Sequence, residues 1–360
     1  MISFLIFIFV LSILIIVHEF GHFIAAKKTG VRVEKFSIGF GKELLKKKGK
    51  DTEYSISAIP LGGYVKLAGD NLSEYKGAVD EYFSKSLGRR FWIIFFGPLL
   101  NYVLGFLFLW LILFIGYPTF TTKIGGLIDG FGAKEAGLKV KDRITAVDGK
   151  SVEYWDDLQK IIQEKGRSAV VRLNILREGK NFEVDVVIKG MNIENELGER
   201  RSIGLLGVTP YDEVIIVKRS FFSSIALALK KVWFYTSVTY RGLWRMVLGK
   251  LSIRDSVTGP LGIYLITYQA ARLGIVALLH LIAVLSISLA IFNLLPFPLL
   301  DGGHILLLGL EKIRGKALGE RVERIINQIG FSMIISLALF VTYNDIMRLF
   351  GDKIDKFFGK

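Results

Sequence analysis

Four stretches of this chain are apolar over roughly the 20 residues that a helix needs to cross hydrocarbon, which leaves few folds open to it. The first begins at Ile2, and the others run from Phe91 to Ile115, Ile275 to Leu295 and Ile326 to Ile346. Inside a bilayer no water satisfies the backbone, so such segments cross as helices. With 51% hydrophobic residues in 360 and a mean hydropathy of +0.45, the chain is expected to be an integral membrane protein with room for one small extramembrane domain. The run from Ile2 lacks a positive n-region and is expected to be retained rather than cleaved as a signal peptide.

The first stretch carries His18-Glu19-Phe20-Gly21-His22, an HExxH pattern. Residues four apart share a helix face, so His18 and His22 can hold one metal while Glu19 stands beside it as a general base. Ionisable groups at this depth cost roughly 2.5–3.5 kcal/mol or more each, and they mark functional sites by default. The chain has only four His, which makes a chance occurrence rare. It has no Cys, so metal ligands must come from His, Asp or Glu.

Net charge is +14, and the basic residues cluster. Between Lys27 and Arg90 there are 14 Lys and Arg against 8 Asp and Glu. No aromatic-interleaved basic face accompanies them, so membrane lipids, not nucleic acid, are the expected partners. By the positive-inside rule the 27–90 segment is cytoplasmic, which puts the N-terminus outside. The expected order is a first span at 1–26, a cytoplasmic 27–90 with a hairpin in its Tyr54–Leu67 stretch, and a second span at 91–116. An α+β domain at 119–209 and a juxtamembrane 210–273 follow, then a third span at 274–296, a cytoplasmic 297–325 and a fourth span at 326–349. Both termini then lie outside. Ser220 to Leu248 is apolar enough to compete as a fifth span, but Lys230, Lys231, Arg241 and Arg245 interrupt it, as an interfacial helix requires.

Residues 119–209 alternate in strand fashion around Glu178-Gly179 and Asp148-Gly149 turns, with a helix expected from Trp155 to Glu164. That order resembles a bacterial PDZ domain, set against a generic α+β spacer. Such a domain implies either capture of a peptide carboxylate, with Ile203–Gly207 or Lys123–Leu127 as the binding loop, or a steric filter against bulky substrates.

HExxH supplies two ligands, and a catalytic metal needs a third. Position 28, where an extended HExxH pattern would place another His, is Lys. His280 precedes Asn293 by thirteen residues, roughly 20 Å along a helix and toward the other membrane face. His304 is closer, but Asp301 comes first and is followed by Gly302 and Gly303, which permit close backbone approach. Asp301 is therefore the better third ligand. With four spans it emerges on the same face as HExxH, and with five it would not.

HExxH in the first span together with Asn293-Leu-Leu-Pro296-Phe-Pro298-Leu-Leu-Asp301-Gly302 resembles the site-2 protease family of intramembrane metalloproteases. Gly39-Phe40-Gly41, Ile59-Pro60-Leu61-Gly62-Gly63, Gly97-Pro98-Leu-Leu-Asn101 and Gly259-Pro260-Leu261-Gly262 extend the resemblance over nearly the whole chain. Its closest form is the bacterial branch, with one PDZ domain, that acts in regulated intramembrane proteolysis. The resemblance implies a polytopic α-helical membrane protein of four transmembrane helices, a membrane-associated β-loop and an inserted extracytoplasmic PDZ-like domain. It implies Zn2+ held by His18, His22 and Asp301, Glu19 as general base, and substrate contacts from Asn293 and from the β-loop at Gly62 and Gly63. Asn101 is expected only to pack. The implied setting is the bacterial inner membrane, with the active site near its cytoplasmic face. The implied partners are single-span substrates, such as anti-sigma factors or signal-peptide remnants, and an upstream site-1-type protease that cuts first. The competing functions are a scaffold with a structural metal and a transporter.

Overall fold

The structure, a computed structural model, describes residues 2–165, 169–194, 198, 200–316 and 318–357. Met1 and residues 358–360, which the expectation for the termini concerns, lie outside the described residues, as do parts of 119–209 and residue 317. The chain divides into two compact units. One comprises Met1–Ile112, Ile225–Trp244 and Ser252–Lys360; the other comprises Leu113–Ser224 and Arg245–Leu251.

The first unit opens with α1, Ile2–Thr29. It stops because the Thr29 hydroxyl donates to the Ala25 carbonyl at 2.8 Å and Gly30 turns left-handed at φ 74°, a conformation costly for other residues. Two long strands follow, β1 (Val33–Lys48) and β2 (Glu53–Leu67). They correct the hairpin expected within Tyr54–Leu67, since the two arms of the hairpin are β1 and β2 themselves. Residues 35–38 are register partners of both 63–66 and 53–56, so each strand bends, β1 at Gly39 and Gly41 and β2 near Pro60. Gly39 and Gly41, at φ 89° and 83°, supply the turn. Helix α2, Leu87–Ile115, contains Pro98, which removes one backbone donor and is tolerated in a spanning helix where neighbours cover the freed backbone.

The second unit contains β3 (Tyr117–Phe120), β4 (Ile124–Leu127), the short α3 (Gly132–Glu135), β5 (Arg143–Val147), β6 (Lys150–Ser151) and α4 (Trp155–Glu164). It continues with β7 (Val170–Arg177), β8 (Lys180–Val187), β9 (Lys189–Glu194), β10 (Arg200–Leu205), β11 (Val208–Pro210) and β12 (Val214–Val217). A four-stranded antiparallel sheet runs β6-β5-β7-β8. Its hairpins turn at Asp148-Gly149 and Glu178-Gly179, where both residues of each pair have positive φ, as a type I′ turn requires. Ile144, Leu173, Ile175 and Val186 from the sheet pack with Leu158 and Ile162 of α4 into one core. Strand β12 pairs with β3, so the unit extends past residue 209. Alternation in the short Val214–Val217 run could not announce that pairing, because its partner lies a hundred residues earlier.

The chain then forms α5 (Phe221–Val247), the short α6 (Ile253–Ser256), α7 (Pro260–Leu273), α8 (Ile275–Asn293), α9 (Asp301–Arg314) and α10 (Glu320–Phe357). Among the described residues four helices are long and apolar enough to cross a membrane: α1, α2, α8 and α10 over Glu320–Phe350. Helix α5 is not among them. Its Phe222, Trp233 and Trp244 are exposed beside Lys230, Lys231 and Arg241. Buried Val10 and Leu14 of α1 meet Ile282 of α8, with Leu104 and Phe108 of α2 packed against them. The buried Asp345 carboxylate of α10 accepts the Gly259 and Gly262 amides at 3.1 and 2.8 Å, docking the start of α7 against the last span.

Candidate metal centre

Three elements of the first unit meet at one point. In α1 a single turn separates His18 from His22, and their Nε2 atoms lie 3.2 Å apart. Asp301, in the first turn of α9, places Oδ2 3.2 Å from His18 Nε2 and Oδ1 3.5 Å from His22 Nε2. A carboxylate is favourable at this helix end, where unpaired amides carry partial positive charge.

Chain geometry explains how Asp301 reaches the histidines. Helix α8 ends at Asn293, because Pro296 pushes the residues before it out of helical conformation. Helix α9 then packs directly on the connecting backbone. A Cβ at Gly302 would lie 2.3 Å from the Leu294 and Leu295 carbonyls, and one at Gly303 would lie 2.1 Å from that of Phe297. The glycines of the Asp-Gly-Gly string thus permit the close approach.

The donor set fits zinc. Metal bonds of 2.0–2.2 Å at tetrahedral angles separate ligand atoms by about 3.3–3.5 Å, close to the three distances above. Two imidazole nitrogens facing each other at 3.2 Å share at most one proton, and Asp301 Oδ2 is buried with no hydrogen-bond partner among the described residues. A cation bound by all three would satisfy each of them.

Glu19 lines a cavity of about 300 Å³ together with His22, Asp301, His304, Val65 and Tyr82. Arg90 and Glu311, which pair with each other, line the same cavity. Gly63 of β2 sits beside the general-base candidate, since a Cβ there would be 3.4 Å from Glu19 Cγ. Gly62 instead faces the Phe40 ring, within the β-layer. Asn293 ends α8, half-buried, and is not among the cavity's lining residues. The cluster therefore brings together His18, His22, Asp301, Glu19 and Gly63, and leaves Gly62 and Asn293 aside. His280 is exposed, and its Nε2 is 2.8 Å from the Tyr235 hydroxyl.

Sequence reasoning gave α2 no part in this site. His22 Nδ1 lies 2.9 Å from the Ile93 carbonyl, His18 Nδ1 lies 3.3 Å from the Asn101 amide, and a Cβ at Gly97 would come within 2.3 Å of His22 Nε2. The available signal was spacing: positions 93, 97 and 101 fall on one helix face.

The family model "Peptidase family M50" matches residues 6–337. The chain belongs to peptidase family M50. Among its M50-like relatives, Cj1068 of Campylobacter jejuni is 34% identical over 98% of this chain and 95% of its own. Zinc metalloprotease RasP of Oceanobacillus iheyensis is 29% identical over 96% of this chain and 98% of its own. A solved PDZ domain, from an SdrC-like protein of Listeria innocua, aligns with 26% of this M50 peptidase and 96% of its own chain at 19% identity and TM-score 0.21.

Proposed function

We propose that this M50 peptidase is a zinc-dependent intramembrane endopeptidase, cutting single-span membrane proteins within or near their transmembrane segments. The observation that carries this is the convergence of His18, His22 and Asp301 within 4.8 Å, at a cavity shared with Glu19, on a helix apolar enough to span a bilayer. His18, His22 and Asp301 would hold the metal. Zinc so bound polarises a carbonyl and acidifies water toward neutrality.

The remaining work falls to the chain. Glu19 takes a proton from the attacking water and passes it to the departing amine, so it must alternate between base and acid. Residues 63–67 pair with 33–38 along one side, and their other edge has no strand partner among the described residues. An extended substrate adding to that edge at Gly63 would lie beside Glu19, with its backbone bonded once its own helix has opened. The substrate role of Asn293 rests on the resemblance of its motif alone, since it ends α8 outside the cavity lining.

Basic residues between Lys27 and Arg90 favour a cytoplasmic side for that segment and hence a site near the cytoplasmic face of a bacterial inner membrane. The PDZ-like unit, the N-terminus and the C-terminus are then extracytoplasmic. A groove of about 270 Å³ in that unit lies between α4 and Gly204–Pro210, along the end of β10, since residues 203–205 and 124–127 are strand and not the loops expected of them; it suits either an extended peptide or exclusion of bulky ectodomains. Substrates would be anti-sigma factors or signal-peptide remnants already trimmed by a site-1-type protease.

Glu19→Gln tests the reading. Cleavage of a single-span reporter should fall by about 10²- to 10⁴-fold while zinc content is unchanged. Undiminished cleavage would exclude Glu19 as the base and favour a structural metal.

A further inference from the structure

We propose that Asn101 is a positioning residue that sets the metal-binding tautomer of His18. The inference rests on the reading of His18, His22 and Asp301 as metal ligands. A metal-bound imidazole nitrogen offers a lone pair, so its other nitrogen must carry the proton and needs an acceptor. For His22 the acceptor is plain: Nδ1 faces the Ile93 carbonyl at 2.9 Å, and a carbonyl can only accept. His22 Nε2 is thereby left with its lone pair toward Asp301.

His18 has no such carbonyl among the described residues. Its Nδ1 faces the side-chain amide of Asn101, whose Nδ2 is 3.3 Å away. Asn101 is fully buried, and its Oδ1 has no partner among the described residues. With the NH2 turned to the ring, Nδ1 is an acceptor and the proton sits on Nε2, where it blocks a metal. A half-turn of the amide brings Oδ1 to Nδ1, so that Nδ1–H donates to it and Nε2 is freed. Asn is the side chain that can serve both states, offering a donor to the ring without metal and an acceptor to it with metal. The residue is held in place from α8, whose Ser286 hydroxyl donates to the Asn101 backbone carbonyl at 2.8 Å. Ile93, Gly97 and Asn101 thus form one face of α2, which receives one ring proton, leaves room for the rings and receives the other ring proton.

The test uses the full-length protein purified in detergent, with zinc affinity read by competition against a chromophoric chelator and geometry read from the visible spectrum of the Co2+-substituted protein. Asn101→Leu removes the acceptor at similar volume and should weaken zinc by about 10- to 100-fold, as loss of an outer-shell partner does, with an altered Co2+ spectrum. Asn101→Asp keeps an acceptor and should restore affinity and spectrum. Wild-type affinity in the Leu variant would overturn the proposal, and so would an Asp variant as weak as the Leu one, since position 101 would then supply only packing. If the Leu variant does not fold, the Asp variant decides alone: retained affinity supports the proposal and lost affinity overturns it. A wild-type protein that binds no zinc in the same titration would instead sink the metal-centre reading itself.

Discussion

Two carboxylates, one in each unit, have opposite surroundings. Asp142 in the second unit is 1% exposed and fully answered: Arg177 donates to both its oxygens at 2.7 Å, and the Lys139 amide donates at 2.7 Å. Asp301 is half-buried in the first unit against two imidazoles, with one oxygen lacking a hydrogen bond among the described residues. A buried charge without enough partners is expensive, so one left incomplete by the protein awaits a ligand from outside it. Asp142 is architecture, whereas Asp301 is the open valence of a reaction centre.

The widest split between them should come from Asp301→Asn, which keeps shape and removes charge. Zinc affinity should drop by more than about 100-fold, beyond what outer-shell changes cause, while the thermal midpoint of the metal-free protein stays level. A lower metal-free midpoint would mean that Asp301 is already satisfied, as Asp142 is, and the contrast would fail.

Arg177→Ala should do the reverse: zinc affinity is untouched, and the second unit loses about 3 kcal/mol, read as faster amide exchange in β5 and β7. The same pair sets a pH response. Burial pushes the Asp142 carboxyl up, but the Arg177 guanidinium and the Lys139 amide outweigh it and hold the group below its ordinary 3.8. A lowered folded pKa means that the pair's stabilisation is complete above about pH 4 and is lost as pH falls further. Protection of the β5 and β7 amides, taken relative to the intrinsic exchange rate at each pH, should therefore fall below pH 4 in the wild type and less so in Arg177→Ala. The smallest effect is expected at Lys165→Ala, which breaks an exposed pair with Asp148 and should cost under about 1 kcal/mol. A larger loss there would show that rim charges, and not the buried pair, hold this unit.

How much of this could be read from residues alone depended on range. HExxH declares its geometry locally, since helical periodicity puts His18 and His22 on one face. Asp301 was legible because the Asp-Gly-Gly string advertises close backbone approach, although its setting at the start of a helix was not. Val33–Lys48 escaped notice because its charges break the alternation and its bend comes from Gly39 and Gly41. The parts played by Gly97 and Asn101 depend on the register between α1 and α2, which two apolar surfaces do not encode in a pattern. The second unit was easier: paired turn residues at 148–149 and 178–179 and the amphipathic 155–164 helix signal themselves.

The missing side chain at Gly97 has a pharmacological consequence. With α2 backbone pressed against both imidazoles, that flank of the centre is closed, whereas the cavity lined by Val65, Tyr82 and His304 reaches His22 and Asp301 and leaves room for a metal-seeking inhibitor. Selectivity among such compounds would then depend on the Arg90–Glu311 pair that lines the same cavity, and not on the metal alone.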